Sequence, residues 1–284
     1  MKSTKILFVI AAATLTLWSC EKGQDIPNEE NMSVAASVEL SASVDEVEGL
    51  MEEIIFYAVN FIEIDGLAGK GCHDRSGFFP ECATLEAETV EDTITINIGF
   101  AEGCTDRHGN ALSGTITLVK TGNKESGNAT ITFTDLTING YVVNGTKSLA
   151  YTKDNANGNP EMSGMVDISV MTEAGTISKE GNRMIEVTAG GDTETYEDDE
   201  VTITGSFTYT GVNGGVFTIV IDPALVKPAG CKYIAQGVKT FNRDGMIATL
   251  DYGDGTCDKV ATLTDAEGVV TEINIRHGRR KFHD

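Results

Sequence analysis

Apolar residues past position 40 first recur at the spacing of a helix and then, from about residue 82, at the spacing of strands. Val44, Val47, Met51, Ile54, Ile55, Ala58 and Ile62 fall at steps of three and four, which gathers them on one helical face. Ser43 and Glu46 have the Ser-x-x-Glu spacing of a capping box, so the helix is expected to open at Ser43 and close at Asp65-Gly66. Ile94, Ile96, Ile98 and Phe100 then alternate with Thr93, Thr95 and Asn97, as in a strand with one buried face. Ile116 and Leu118 continue the alternation, as do Val166, Ile168 and Val170. Val201, Ile203, Phe207 and Tyr209 follow, and then Phe217, Ile219 and Ile221. The run Ala129, Ile131, Phe133 changes parity at Asp135, because Leu136 and Ile138 fall on the other set, and a bulge or bend is expected there. Asn139-Gly140, Asn144-Gly145, Asn157-Gly158 and Asn213-Gly214-Gly215 read as tight turns. The expected fold is mostly β: an antiparallel meander forming a large sheet, a sandwich or a barrel, with one N-terminal amphipathic helix packed on it.

The first residues carry an address. Lys2 and Lys5 precede an apolar run from Ile6 to Trp18, broken only by Thr14 and Thr16. That run is shorter than the roughly 20 residues a membrane-spanning helix needs, and it has the form of a secretory signal peptide. Its ending, Leu17-Trp18-Ser19-Cys20, resembles the lipobox of bacterial lipoproteins. The resemblance implies that residues 1–19 are removed and that Cys20 carries a thioether-linked diacylglycerol at the mature N-terminus. An ordinary signal peptide with an incidental cysteine is the plainer alternative. Each buried methylene contributes about 0.8 kcal/mol, so several acyl chains hold firmly where one binds marginally. Residues 20–38, acidic and small, read as a flexible tether. Residues 39–284 are expected to form a helix plus β-rich domain with a basic C-terminal tail. The expected location is the cell envelope, at the outer membrane through the lipid on Cys20.

Charge narrows the partners. The net charge is −22, and loss of Lys2 and Lys5 with the leader takes it to −24. Nucleic acid is excluded as a natural partner, since phosphate binding needs concentrated Lys and Arg. The exception is Arg276-His277-Gly278-Arg279-Arg280-Lys281, which could meet anionic headgroups or polysaccharide, or simply be a solvated tail.

Five cysteines remain after Cys20, namely Cys72, Cys82, Cys104, Cys231 and Cys257. Export permits disulfides, and an odd count leaves one thiol over. If Asn242 to Gly245 form a four-residue loop, Phe241 faces Met246 and Cys231 faces Thr256. A bulge at Gly253 or Gly255 then brings Cys257 opposite Cys231, and a Cys231–Cys257 bridge is expected. Cys82 and Cys104 flank a hairpin turning near Glu91-Asp92, where Gly103 and the loop must absorb about three residues of offset for them to pair.

Phe79-Pro80-Glu81-Cys82-Ala83-Thr84, the segment from Gly103 to Gly109, Cys231-Lys232-Tyr233-Ile234 and the segment from Asp251 to Asp258 occur in that order. Together they resemble a family of uncharacterised Bacteroidetes-type lipoproteins with a β-rich body. The resemblance covers nearly all of the mature domain, and it implies a framework of Cys82, Cys104, Cys231 and Cys257 that leaves Cys72 outside. The chain departs from the family pattern at Val187-Thr188-Ala189-Gly190, where a tryptophan often precedes Ala-Gly. The family carries no established activity.

Candidate chemistry is sparse. Asp251, Asp254 and Asp258 offer three carboxylates in a Gly-containing loop, the oxygen chemistry calcium prefers, although Asp and Gly are equally ordinary turn-formers. Glu194, Glu197, Asp198, Asp199 and Glu200 form a second acidic cluster, readable as a cation or basic-partner site or as a solvated connection. The segment Asp154 to Asn159 reads as a ligand loop or a hairpin tip. His73, His108, His277 and His283 show no zinc-type spacing, and no nucleophile elbow or phosphate loop is present. Cys72 beside His73 would point to the opposite face on a strand. The expected function is a non-catalytic binding or structural module contacting envelope protein, glycan or a small apolar ligand. The alternative is a carboxylate-dependent hydrolase acting on glycan.

Overall fold

Buried and exposed positions alternate through a long series of strands, and each strand pairs with the next in sequence. The computed structural model describes residues 34–66, 80–106, 109–123, 125–193 and 198–275. Helix α1 (Val34–Gly66) comes first. The strands are β1 (Ala83–Val90), β2 (Thr93–Thr105), β3 (Ala111–Gly122), β4 (Ser126–Ile138), β5 (Tyr141–Thr152), β6 (Glu161–Thr172) and β7 (Gly175–Ala189). They continue as β8 (Glu200–Thr210), β9 (Val216–Lys227), β10 (Gln236–Arg243), β11 (Met246–Asp254), β12 (Val260–Thr264) and β13 (Val270–Asn274).

Among the described residues thirteen strands make one antiparallel meander in the order β1 to β13, and the sheet does not close on itself. Of the three expected forms the large sheet is therefore the one found. Closure would need β1 against β13, yet β1 carries Glu86 and Glu88 and turns at Glu91-Asp92. Charge on an edge strand opposes the addition of another strand.

One face of the sheet and one face of α1 share the core. Ile96, Ile98, Ile116, Ile131, Phe133, Ile168, Phe217 and Ile219 project inward from the strands, and Leu40, Val44, Val47, Met51 and Ile54 meet them from the helix. The helix ends at Gly66 as expected but begins at Val34, nine residues before Ser43. Ser43 therefore does not cap it, and its Oγ donates to the Glu39 carbonyl inside the helix. The buried stripe continues upstream through Leu40, Ser41 and Ser37, where small hydroxyls interrupt the apolar period that would have marked it. Val34 to Val38, the end of the stretch expected to be a tether, is helical. Side chains at Ala58 and Ile62 lie outside the described ones.

The bulge at Asp135 is present. The register of β4 shifts by one residue against both neighbours, between Thr134 and Thr137 on the β3 side and between Phe133 and Leu136 on the β5 side. Asp135 has φ +47°, and Asn144 of β5 satisfies it: Asp135 N–H donates to Asn144 Oδ1 at 2.8 Å, and Asn144 Nδ2 donates back to Asp135 Oδ1 at 3.1 Å. Asn144-Gly145 is accordingly not a turn but lies inside β5, because its side chain is used to close the bulge. The turns at Asn139-Gly140, Asn157-Gly158 and Asn213-Gly214-Gly215 do separate strands.

Both cysteine pairs stand at disulfide distance, Cys82–Cys104 and Cys231–Cys257. A register break between Phe100 and Cys104, with Gly103 at φ +78°, absorbs the offset expected for the first. The second forms by a different route from the one expected. The β10–β11 turn contains only Asp244 and Gly245, both at positive φ, so Phe241 faces Ala248 and not Met246. The shift near Gly253 moves the register further from Cys257, and the bridge joins irregular segments beyond the ends of the two strands. Cys20, Cys72, His73, His108, His277 and His283 lie outside the described residues, as do the leader and the basic tail.

Candidate functional site

The two faces of the sheet carry opposite chemistry. On the inner face, β5 and β7 direct Lys147, Lys179 and Arg183 toward α1, and β10 adds Lys239. Asp45, Glu48 and Glu52 answer them from the helix, at spacings of three and four residues that align them on one side. Glu48 bridges the Lys147 and Lys179 ammoniums, the latter at 2.6 Å. Asp45 Oδ1 is 2.7 Å from Lys179, and its Oδ2 is 3.6 Å from Lys239. Glu52 Oε1 is 2.8 Å from both Lys147 and Arg183. The Tyr209 hydroxyl donates to Asp45 at 3.2 Å, and the Lys179 ammonium lies 4.6 Å from the Phe207 ring centre. Lys147 and Lys179 have side chains only 7% and 5% exposed. Charges so deep persist because each is paired.

Burial alone would raise the Asp45 carboxyl, but the Lys179 ammonium and then Lys239 outweigh it and hold the group at about 2. Burial would likewise lower Lys179, and Asp45 foremost raises it above its ordinary value. A carboxyl held below its unfolded value of 3.8 stabilises the fold above that pH, and the gain is lost as pH falls through the folded value near 2. The raised ammonium is lost only above its ordinary 10.5. The melting temperature is therefore expected to be level from about pH 5 to 9 and to drop below about pH 4, as read by circular dichroism. A steep loss between about pH 5 and 7 would contradict this pairing.

The outer face holds a trough of about 690 Å³ that crosses β5 to β9. One wall is the cross-strand row Thr146, Asp167, Glu180, Thr208 and Thr218. The other is Ser148, Met165, Asn182, Ser206 and Val220. Between them the floor is backbone at Val166, Gly181, Phe207 and Ile219, whose neighbours in sequence form the walls. A Cβ at Gly181 would lie 2.2 Å from the Ser206 carbonyl oxygen, so only glycine fits there. Asn182 Nδ2 donates to Ser206 Oγ at 3.3 Å. Met165 and Val220 flank that pair in the wall and are 68% and 44% exposed. Asp167 and Glu180 are direct partners across β6 and β7. Among the described residues no lysine or arginine lines the trough.

Asp251, Asp254 and Asp258 do not converge: each turns its Oδ1 onto a backbone N–H two residues ahead, at Gly253, Thr256 and Val260. Among the described residues no group of three His, Cys, Asp or Glu side chains could hold a metal ion. The expected calcium loop is thus a chain of Asp turns. Of the second acidic cluster, Glu194 and Glu197 lie outside the described residues, while Thr193 Oγ1 donates to Asp198 Oδ1 at 3.0 Å and Thr188 Oγ1 to Glu200 Oε1 at 3.0 Å. The 154–159 segment is a hairpin tip, folded on Asn155. The amides of Asn155, Asn159 and Asn157 all donate to Glu186 and hold its carboxyl below the ordinary range.

Asp167 and Glu180 were not evident in the sequence as a pair. Asp167 stands between buried Val166 and Ile168, so its outward direction is readable. Its partner depends on the β6–β7 register, which is set at Glu173-Ala174, a turn with no Gly or Asn. Comparison of the chain with protein-family models, with curated proteins and with solved structures finds no match in any of the three.

Proposed function

We propose that the chain is a lipid-anchored lipoprotein of the cell envelope, on the outer membrane, and that its β-rich domain is a non-catalytic binding module. The anchor rests on Leu17-Trp18-Ser19-Cys20 and on the resemblance to Bacteroidetes-type lipoproteins. The trough over β5 to β9 carries the binding reading: its hydroxyls, amide and carboxylates line an open hollow of about 690 Å³. That volume is in the range of small-ligand sites. The inner face is occupied by α1 and its ion pairs, which leaves the outer face for ligand.

A hydrolase is the second reading, favoured by the opposed Asp167 and Glu180. A glycosidase flanks the scissile bond with two carboxyl groups. These two rise side by side from the same sheet face, so both meet a ligand from one side. That arrangement suits binding better than displacement.

Titration calorimetry of the intact chain in detergent with a tetramer of N-acetylglucosamine, a neutral probe, tests the trough. Binding is expected, with loss of at least about tenfold in affinity on Ser206→Trp, which fills the hollow and costs about 1 kcal/mol of stability or less at an exposed position. Binding that survives Ser206→Trp unchanged would place the site elsewhere, and release of reducing ends would favour the hydrolase. Cys20→Ser is expected to abolish incorporation of a palmitate analogue and to shift the chain from the membrane to the soluble fraction; labelling that persists would remove the anchor.

A further inference from the structure

Asp167 and Glu180 face one another in the middle of the trough, and neither has a cationic partner among the described residues. Like charges directly opposite on antiparallel strands oppose the pairing of those strands. On the inner face the fold avoids that cost, since Asp45, Glu48 and Glu52 each meet a lysine or arginine. Among the described residues the outer pair is uncompensated, in a hollow that no basic side chain lines. A ligand can supply the missing positive charge. We infer that the trough takes a linear glycan bearing free amino groups, with Asp167 and Glu180 as the residues that select the ammonium. This rests on the reading of the trough as a binding site.

The rest of the trough argues for a sugar chain over a basic peptide. Peptides on sheets add to an edge through main-chain hydrogen bonds, and the trough crosses central strands whose backbone groups are already paired. What it offers is side-chain hydroxyls such as Ser206 and Thr208 for ligand hydroxyls, and Met165 and Val220 for the apolar faces of sugar rings. It crosses five strands, a span of about 19 Å, long enough for several sugar units. The absence of lysine and arginine from its walls, among the described residues, disfavours anionic glycans.

The test compares two tetramers of equal length, one of glucosamine and one of N-acetylglucosamine, on the intact chain in detergent and on Asp167→Asn/Glu180→Gln. The amine-bearing tetramer is expected to bind about five- to tenfold tighter at low salt. The preference should vanish in the double variant and fade at about 0.5 M salt. The double variant should also melt slightly higher, since a like-charge contact is gone. If both tetramers bind alike and the double variant alters neither, the amine inference fails while the trough stands as a binding site. If neither tetramer binds, both fail. A preference that persists in the double variant is general attraction to an acidic chain and overturns the assignment. So does a tetralysine peptide that binds as tightly and is lost in the same variant.

Discussion

Glu48→Ala is expected to cost about 3–5 kcal/mol of folding stability, more than any exposed substitution on the same helix. Among the described residues Glu48 is the one carboxylate shared by the two most buried ammoniums, those of Lys147 and Lys179. Its removal leaves both short of an acceptor, with side chains only 7% and 5% exposed. Asp45 and Glu52 keep one contact each to those lysines, which argues for the lower part of the range. Glu52→Ala should cost less, about 1 kcal/mol, because its carboxylate is 44% exposed and water can replace it. Replacing Lys147, Lys179 and Glu48 together with Met, Met and Leu should restore stability to within about 1 kcal/mol of the parent, since apolar packing of similar volume does as well as a buried ion set. Urea unfolding of the intact chain with its disulfides oxidised measures all three. A Glu48→Ala loss below about 1 kcal/mol would mean that the inner ion pairs do not hold α1.

Gly114→Ala is the second large effect, about 3–5 kcal/mol. Gly114 lies opposite the bulge at Asp135 with φ +89°. A Cβ there would stand 2.1 Å from the Asp135 carbonyl oxygen and 2.8 Å from Leu136 Cα. Backbone strain and collision act together, and the atoms in the way are main chain, so no rotamer relieves them. Gly99→Ala is the control. Its Cβ would meet only the Thr84 hydroxyl, at 2.7 Å, which can turn aside, and a loss of about 1 kcal/mol is expected. Equal effects at the two positions would show that close backbone approach at the bulge is not what requires glycine.

That bulge also marks how far the sequence could be read. The parity change between Phe133 and Leu136 was plain because both halves of β4 bury apolar residues. β5 and β7 were not plain as strands. Their inward faces hold Val143, Leu149 and Ile177, but between these stand Gly145, Lys147, Lys179, Gly181 and Arg183, so the apolar alternation that marks a buried face breaks off where the sheet meets the helix's carboxylates. The start of α1 was hidden for a similar reason, with Ser37 and Ser41 on its buried side. The disulfide pairing was readable while the turn beside Cys231 and Cys257 was not, because Asp244-Gly245 makes a two-residue turn as readily as the longer loop. Sheet closure, and the face on which a hollow forms, depend on register summed over all the strands, and no single segment carries that information.

The central claim is that ligand enters from the outer face and leaves the helix-filled inner face undisturbed. Methyl NMR of the intact chain in detergent, labelled at methionine, reads both faces in one spectrum. Met165 lies 68% exposed in the trough wall, while Met51 is fully buried on the sheet-facing side of α1. On titration with the glucosamine tetramer the Met165 signal should move in saturable fashion and Met51 should stay in place. Movement of Met51 with Met165 unchanged would contradict the account, because the ligand would then lie between the helix and the sheet.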